Sequence, residues 1–267
     1  MSNKFIMKKA LEEIDKGQEL AIATITAASG STPREAGTKM LVLKNGKTYG
    51  TVGGGAMEKR IIEICLESIE KGENQNVSFP LDTEGVDMIC GGAVEVFVEV
   101  YKNRPKLLIV GGGHVGYAIY EAALPLDFDL IIFDDRKDFI NKERFPKAKE
   151  LVLGDIGESL KNYPIDENSY IVIVTRGHKY DEEALEVVIN TNAKYIGAMG
   201  SKKKVITMFN SLKEKGIDEE KLNNVYSPIG LKISGGSPEE IAISIIGEIL
   251  FVKNQGELVH MREELYK

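Results

Sequence analysis

Lys106-Leu-Leu-Ile-Val-Gly-Gly-Gly-His-Val-Gly116 is the stretch that decides the fold of this chain. A short β-prone run enters Gly111, Gly113 and Gly116 and continues into a helical pattern. That order of strand, glycine turn and helix opens a doubly wound sheet. The glycines permit a tight turn and close approach of the backbone to a pyrophosphate, and the bare amides at the helix start face it, with His114 beside them. Asp134 follows about 20 residues on, where a carboxylate accepts hydrogen bonds from a ribose. Asp135 and Arg136 leave NAD and NADP both open, because a guanidinium there also meets a 2′-phosphate.

Downstream, β-rich runs at 106–110, 129–134, 150–153, 170–175 and 194–198 alternate with helical stretches, which predicts a parallel sheet covered by helices on both faces. The unusual clusters follow strands: Gly111–Gly116, Asp134–Arg136, Gly154-Asp155, Thr175-Arg-Gly-His178 and Gly197–Lys204. Ligands of such sheets bind at the carboxyl ends of the strands. Arg176 and His178 are therefore candidate ligand contacts; His178 either transfers a proton or holds its own loop. Gly200 and Ser201 precede Lys202, Lys203 and Lys204, with Ser201 expected as a helix N-cap. Cations are unfavourable at that end of a helix, so Lys204 and its neighbours either await an anion or are simply solvated. A scaffold that keeps its glycines only for packing is the alternative to nucleotide binding.

Upstream, residues 1–103 read as a mixed α/β domain, separated at Arg104-Pro105 from a Rossmann-like domain of residues 104–267. Asn45-Gly46 marks a hairpin. A helix over 57–71 carries Ile61, Ile62, Cys65, Leu66 and Ile69 on one face, with Cys65 a packed thiol. The loops Gly30–Gly37 and Gly50–Glu58 are rich in small residues, and the second leads into that helix. Gly53, Gly54 and Gly55 thus form a second candidate anion cradle with Arg34 as clamp, or serve hairpin geometry alone. Cys90, followed by Gly91 and Gly92, has room for a ligand beside the thiol, where it either carries sulfur or is inert.

The 267 residues are 43% hydrophobic and 28% charged, the composition of a globular protein. A net charge of −7 supplies no positive field for nucleic acid or an anionic membrane, and neither is an expected partner. The amphipathic start lacks a signal-peptide pattern, so a cytoplasmic protein is expected. Two cysteines and three scattered histidines offer no metal-ligand spacing. The apolar helix from about Pro238 to Val252 is expected between domains or across a homodimer, and the tail 255–267 as a surface helix or frayed end.

These segments together resemble the XdhC/CoxI family, accessory proteins of molybdenum hydroxylases such as xanthine dehydrogenase. The likeness rests on Gly30-Ser-Thr-Pro-Arg34 with Gly37 and Met40, Gly53–Gly55 with Glu58, and Cys90-Gly-Gly92. Further along it rests on Gly111–Gly116, Asp135-Arg136, Thr175–His178 with Asp181, Gly197 with Gly200-Ser201 and Lys204, and Pro228-Ile-Gly-Leu231 with Pro238–Ala242. The resemblance implies an XdhC/CoxI-type N-terminal domain followed by a Rossmann domain. It further implies that the chain binds the molybdenum cofactor (molybdopterin) as cargo, assists its sulfuration and delivers it to an apo molybdenum hydroxylase. A cysteine desulfurase is the implied sulfur source. The family commonly has a cysteine after the glycine pair, where this sequence has Ala56, which leaves Cys90 or no thiol for sulfur.

In that reading Arg34, the Gly53–Gly55 loop and Cys90 in one half and the strand-end residues of the other contact the anionic cofactor. No catalytic residue is assigned. The alternatives are an NAD(P)-dependent oxidoreductase with His178 as proton donor, and a nucleotide-sensing module suggested by Leu151-Val-Leu-Gly-Asp155.

Overall fold

The structure, a computed structural model, describes residues 2–29, 34–80 and 93–266. The chain divides into two compact units, Met1–Asn103 and Arg104–Lys267. Among the described residues no helix is long and apolar enough to cross a membrane.

The first unit runs α1 (Asn3–Asp15), β1 (Leu20–Ser29), β2 (Lys39–Leu43), β3 (Thr48–Gly50), α2 (Gly55–Lys71), β4 (Gln75–Pro80) and β5 (Ala93–Tyr101). Its strands form one antiparallel sheet in the order β3-β2-β1-β5-β4. Side chains alternate between the faces of a strand, and this alternation gives each face its own helix. Leu20 and Ile22 join Leu41 and Leu43 beneath Ile6 and Ala10 of α1. Ala21, Ala23 and Ile25 join Met40 and Val42 beneath Met57, Ile61, Cys65 and Ile69 of α2. The buried stripe of α2 differs from the expected one: Ile64 and Ser68 are buried, whereas Ile62 and Leu66 only flank it. A period of 3.6 counted from the buried Met57 falls on 61, 64 and 68, with Cys65 and Ile69 alongside, and so turns Ile62 and Leu66 to the margin.

The second unit contains β6 (Lys106–Val110), α3 (His114–Ala123), β7 (Asp129–Asp134), β8 (Glu150–Leu153), α4 (Ile156–Lys161), β9 (Ser169–Ile173) and α5 (His178–Val188). It continues through β10 (Tyr195–Ala198), α6 (Lys202–Glu214), α7 (Glu219–Asn223) and α8 (Pro238–Asn254). The five strands are parallel, in the order β10-β9-β6-β7-β8, so the order reverses between β6 and β9. Both faces of β6, β7, β9 and β10 are largely buried, which explains the apolar runs of these strands, whereas the edge strand β8 is partly exposed. Leu107, Ile109, Leu130, Ile132 and Val172 lie under α3 and α8. Leu108, Val110, Ile131, Phe133 and Ile173 lie under the helices that carry Leu160, Leu185 and Met208.

Helix α8 packs within its own unit. Ala242, Ile245, Ile246 and Ile249 bury in the core of this unit beside α3, and Ile243 is left exposed on the outer side. Its broad apolar surface is used by the sheet and the neighbouring helix together. The tail ends in a short 3₁₀ turn, Met261–Tyr266.

Candidate functional site

The fingerprint glycines are filled by the chain itself. A Cβ at Gly116 would lie 1.8 Å from the Gly111 carbonyl oxygen, and one at Gly111 2.5 Å from the carbonyl oxygen of Val174. At Gly112 it would lie 2.4 Å from the carbonyl oxygen of Phe139. These contacts bring β6, α3 and the end of β9 together at backbone distance, and no side chain fits between them.

Asp134 does not wait for a ribose. It is 2% exposed, and its Oδ2 accepts the Gly112 amide at 2.7 Å. Arg136 folds back on the same carboxylate, donating Nε to Oδ1 and Nη2 to Oδ2, each at 2.8 Å. The guanidinium of Arg136 then lies 3.8 Å from the centroid of Phe139. Arg144 Nη2 donates to the Gly113 carbonyl at 3.3 Å. Burial pushes the Asp134 carboxyl up, but the hydrogen bonds from Arg136 and Gly112 outweigh it and hold the group below the usual carboxylate range. The expected ribose acceptor is thus an internal organiser, for the physical reason that an opposite charge two residues away reaches it first. His114 is exposed at the first turn of α3.

The glycine loop of the first unit is likewise closed by the chain's own anion. Gly53, Gly54 and Gly55 have φ of 144°, 79° and 65°, a run of left-handed backbone open to glycine. Glu58, in the first turn of α2, turns its Oε2 back into this loop. It accepts the Thr51 hydroxyl, the Val52 amide at 3.1 Å and the Gly54 amide at 3.0 Å. The cradle expected to bind an external anion therefore holds Glu58, and the sequence signal was the acid four residues past Gly54. Arg34 lines a hollow of about 240 Å³ with Asn3, Glu35, Lys39 and Thr51. Cys90, Gly91 and the stretch Gly30–Pro33 lie outside the described residues. Cys65 is fully buried, and burial pushes its thiol up to about 12.

What the fold does bring together lies at the carboxyl ends of β9 and β10. Thr175, Arg176, Gly177, His178, Gly200, Ser201 and Lys204 line one cleft of about 810 Å³, and Pro228–Lys232 with Ile241 and Ser244 of α8 complete it. The first residues of α5 and α6 open onto this cleft, so two helix N-termini add their amide ends to the side chains of Arg176, His178, Lys204 and Lys232. Ser201 occupies the N-cap position of α6 but makes no side-chain capping bond, so its hydroxyl is left on the cleft wall. Arg176 Nη2 pairs with Asp135 Oδ2 at 2.8 Å and with the Tyr180 hydroxyl at 2.7 Å. The buried Asp181 fixes the loop by accepting the Thr175 amide at 3.1 Å and its hydroxyl at 2.5 Å. Burial pushes the Asp181 carboxyl up, against the pull of Thr175, His178 and Lys204.

The opposite wall carries no expectation from the sequence as part of a site. Tyr226 pairs with Gly197 as an added rung beside β10, and the chain then turns through Gly230 at φ 94°. Glu248 of α8 anchors that turn, accepting the Gly230 amide at 2.9 Å and the Tyr195 hydroxyl at 3.1 Å. Burial raises the carboxyl of Glu248 and the phenol of Tyr195 alike. Gly230 within Pro228–Leu231 was the available signal, but only the tertiary turn places it opposite His178.

Comparison with known proteins matches residues 107–249 to the XdhC Rossmann domain and residues 13–80 to the XdhC and CoxI family. The chain belongs to this family. An uncharacterized Escherichia coli protein, YqeB, is 34% identical over 93% of this XdhC/CoxI chain, which spans 46% of that relative's length. A probable xanthine dehydrogenase subunit of Bacillus subtilis is 20% identical over 97% of the chain and 100% of its own. The molybdenum cofactor insertion chaperone PaoD of Escherichia coli is 18% identical over 93% of the chain and 88% of its own. The crystal structure of a xanthine dehydrogenase from Bacillus halodurans shares the fold, with a TM-score of 0.53 and 20% identity over 94% of this chain and 96% of that one.

Proposed function

We propose that this XdhC/CoxI protein binds the molybdenum cofactor as cargo and passes it to a molybdenum hydroxylase of the xanthine dehydrogenase type. The observation that carries the reading is the cleft at the ends of β9 and β10. It gathers Arg176, His178, Ser201 and Lys204, which are separated in sequence, around the N-termini of α5 and α6. A pterin cofactor carries a phosphate and a planar heterocycle. The cationic wall with its amide ends suits the phosphate, and Ile229, Leu231 and Ile241 offer an apolar surface to the ring. The names of two relatives, PaoD and the Bacillus subtilis protein, support the same cargo and client.

The fingerprint loop supports the NAD(P) alternative less well. A pyrophosphate there needs the loop amides, and that of Gly112 is taken by Asp134 in this conformation. Sulfuration of the cargo belongs to the same proposal. Cys65 does not serve it, because a sealed thiol with a raised pKa is a poor nucleophile, and Cys90 is the other of the chain's two cysteines.

The test is anaerobic incubation of the full chain with molybdenum cofactor, followed by gel filtration and assay of the protein fraction for molybdenum and pterin. Retention near one equivalent, lowered in Lys204→Ala and Arg176→Ala, is expected. Absence of both molybdenum and pterin from the wild-type fraction would overturn the proposal.

A further inference from the structure

Among the described residues lining the β9–β10 cleft, Asp181 is the one carboxylate in a wall otherwise supplied with Arg176, His178, Lys204 and Lys232. It is 8% exposed. Its Oδ1 takes both hydrogen bonds from Thr175, and among the described residues Oδ2 accepts none. Anchoring Thr175 needs one acceptor oxygen, which an asparagine would also supply, so that task leaves the second oxygen and the charge unexplained.

A carboxylate on the wall of an anion-binding cleft repels any ligand group that is itself negative. Two like charges at contact distance in a partly buried site repel each other far more strongly than they do in water. The ligand surface that meets Asp181 must therefore bring donors. A buried carboxylate with one open oxygen accepts charge-assisted N–H bonds strongly and discriminates against analogues that lack them.

We propose that Asp181 is a specificity-determining residue of this cleft. Its free oxygen receives the adjacent amino and ring N–H donors of a 2-amino-4-oxo-pyrimidine edge, while the helix N-termini and Lys204 hold the phosphate of the same ligand. That edge is common to pterins and guanine. The proposal rests on the cleft being the cargo site and adds which part of the ligand the protein reads.

Calorimetric titration of the full chain with orthophosphate, a metal-free pterin phosphate, GMP and IMP tests it, IMP lacking the 2-amino group of GMP. Wild type is expected to bind pterin phosphate, and GMP relative to IMP, at least about tenfold more tightly than ligands without the edge. Asp181→Asn, which keeps an acceptor for Thr175 but presents an NH₂ where the open oxygen stood, is expected to erase that gap and leave orthophosphate binding in place. A preference for pterin phosphate over GMP identifies a pterin source and the reverse a nucleotide; both outcomes support the reading of the edge. Equal affinities of wild type for GMP and IMP with no gain for the pterin overturn it, as does a gap that survives in Asp181→Asn. In either case retained phosphate binding leaves the cargo proposal standing, whereas wild type that binds none of the four probes overturns both. Should Asp181→Asn fail to fold, the wild-type comparison of GMP with IMP decides alone.

Discussion

Removing the Glu58 carboxylate should loosen the Gly53–Gly55 loop without disturbing the sheet beneath it. In Glu58→Ala the Thr51 hydroxyl and the Val52 and Gly54 amides lose the oxygen they share. Hydrogen bonds to a charged acceptor contribute about 1.5–3 kcal/mol each, but three donors share one oxygen that water partly reaches, so the expected loss is about 3 kcal/mol in total. The Gly53 amide still donates to the Thr51 hydroxyl oxygen at 3.2 Å, and the loss should stay local. Hydrogen exchange read by mass spectrometry on a peptide covering 51–56 should then quicken by about 100-fold, since 1.4 kcal/mol is a factor of ten. Glu58→Gln keeps an acceptor and loses the charge, which costs about 1 kcal/mol and about fivefold in exchange. Wild-type exchange in Glu58→Ala would refute the idea that the loop is organised around this carboxylate.

Two further outcomes follow from buried groups. Cys65, fully buried with its thiol pushed up to about 12, should resist iodoacetamide at pH 8 in the native protein and react after denaturation, as peptide mass spectrometry would read; native labelling at Cys65 would contradict its packing. The Asp134 carboxyl is held below its unfolded value, so its contribution to stability is complete above the unfolded pKa of about 3.9 and is lost as pH falls through the folded value. Unfolding followed over the acid range should show this loss in wild type and a flatter profile in Asp134→Asn; identical profiles would mean that the Asp134–Arg136 pair does not couple to folding.

The architecture of the second unit was legible because its signals are local. Each buried parallel strand is a short apolar run, each helix a periodic one, and the glycine turn after Val110 is marked by residues with no substitute at backbone contact. Expected strands at 106–110, 129–134 and 150–153 agree with the observed ones, and those at 170–175 and 194–198 shift by one or two residues. Strand ends depend on where hydrogen-bonded partners stop, a non-local matter. For α8 the breadth of apolar surface reported how much is buried but not that α3 and the sheet of its own unit cover it. Residue types alone do not show that Asp134 and Glu58 accept amides of the two glycine loops, which their distances to those amides establish.

The amino-acid sequence by itself determined a parallel α/β unit with glycine-rich and polar clusters just after its strands, a separate mixed α/β unit ahead of it, and membership of a family carried by motifs along nearly the whole chain. These rest on periodicity, glycine conformation and residue identity, which are properties of neighbours in the chain. Only the tertiary structure decided that the fingerprint and the Gly53–Gly55 cradle close on internal carboxylates, and that Thr175–His178, Gly200–Lys204 and Pro228–Leu231 enclose one cleft. Which anion fills an amide cradle is settled by a distance of about 3 Å between groups whose relative positions the fold alone sets.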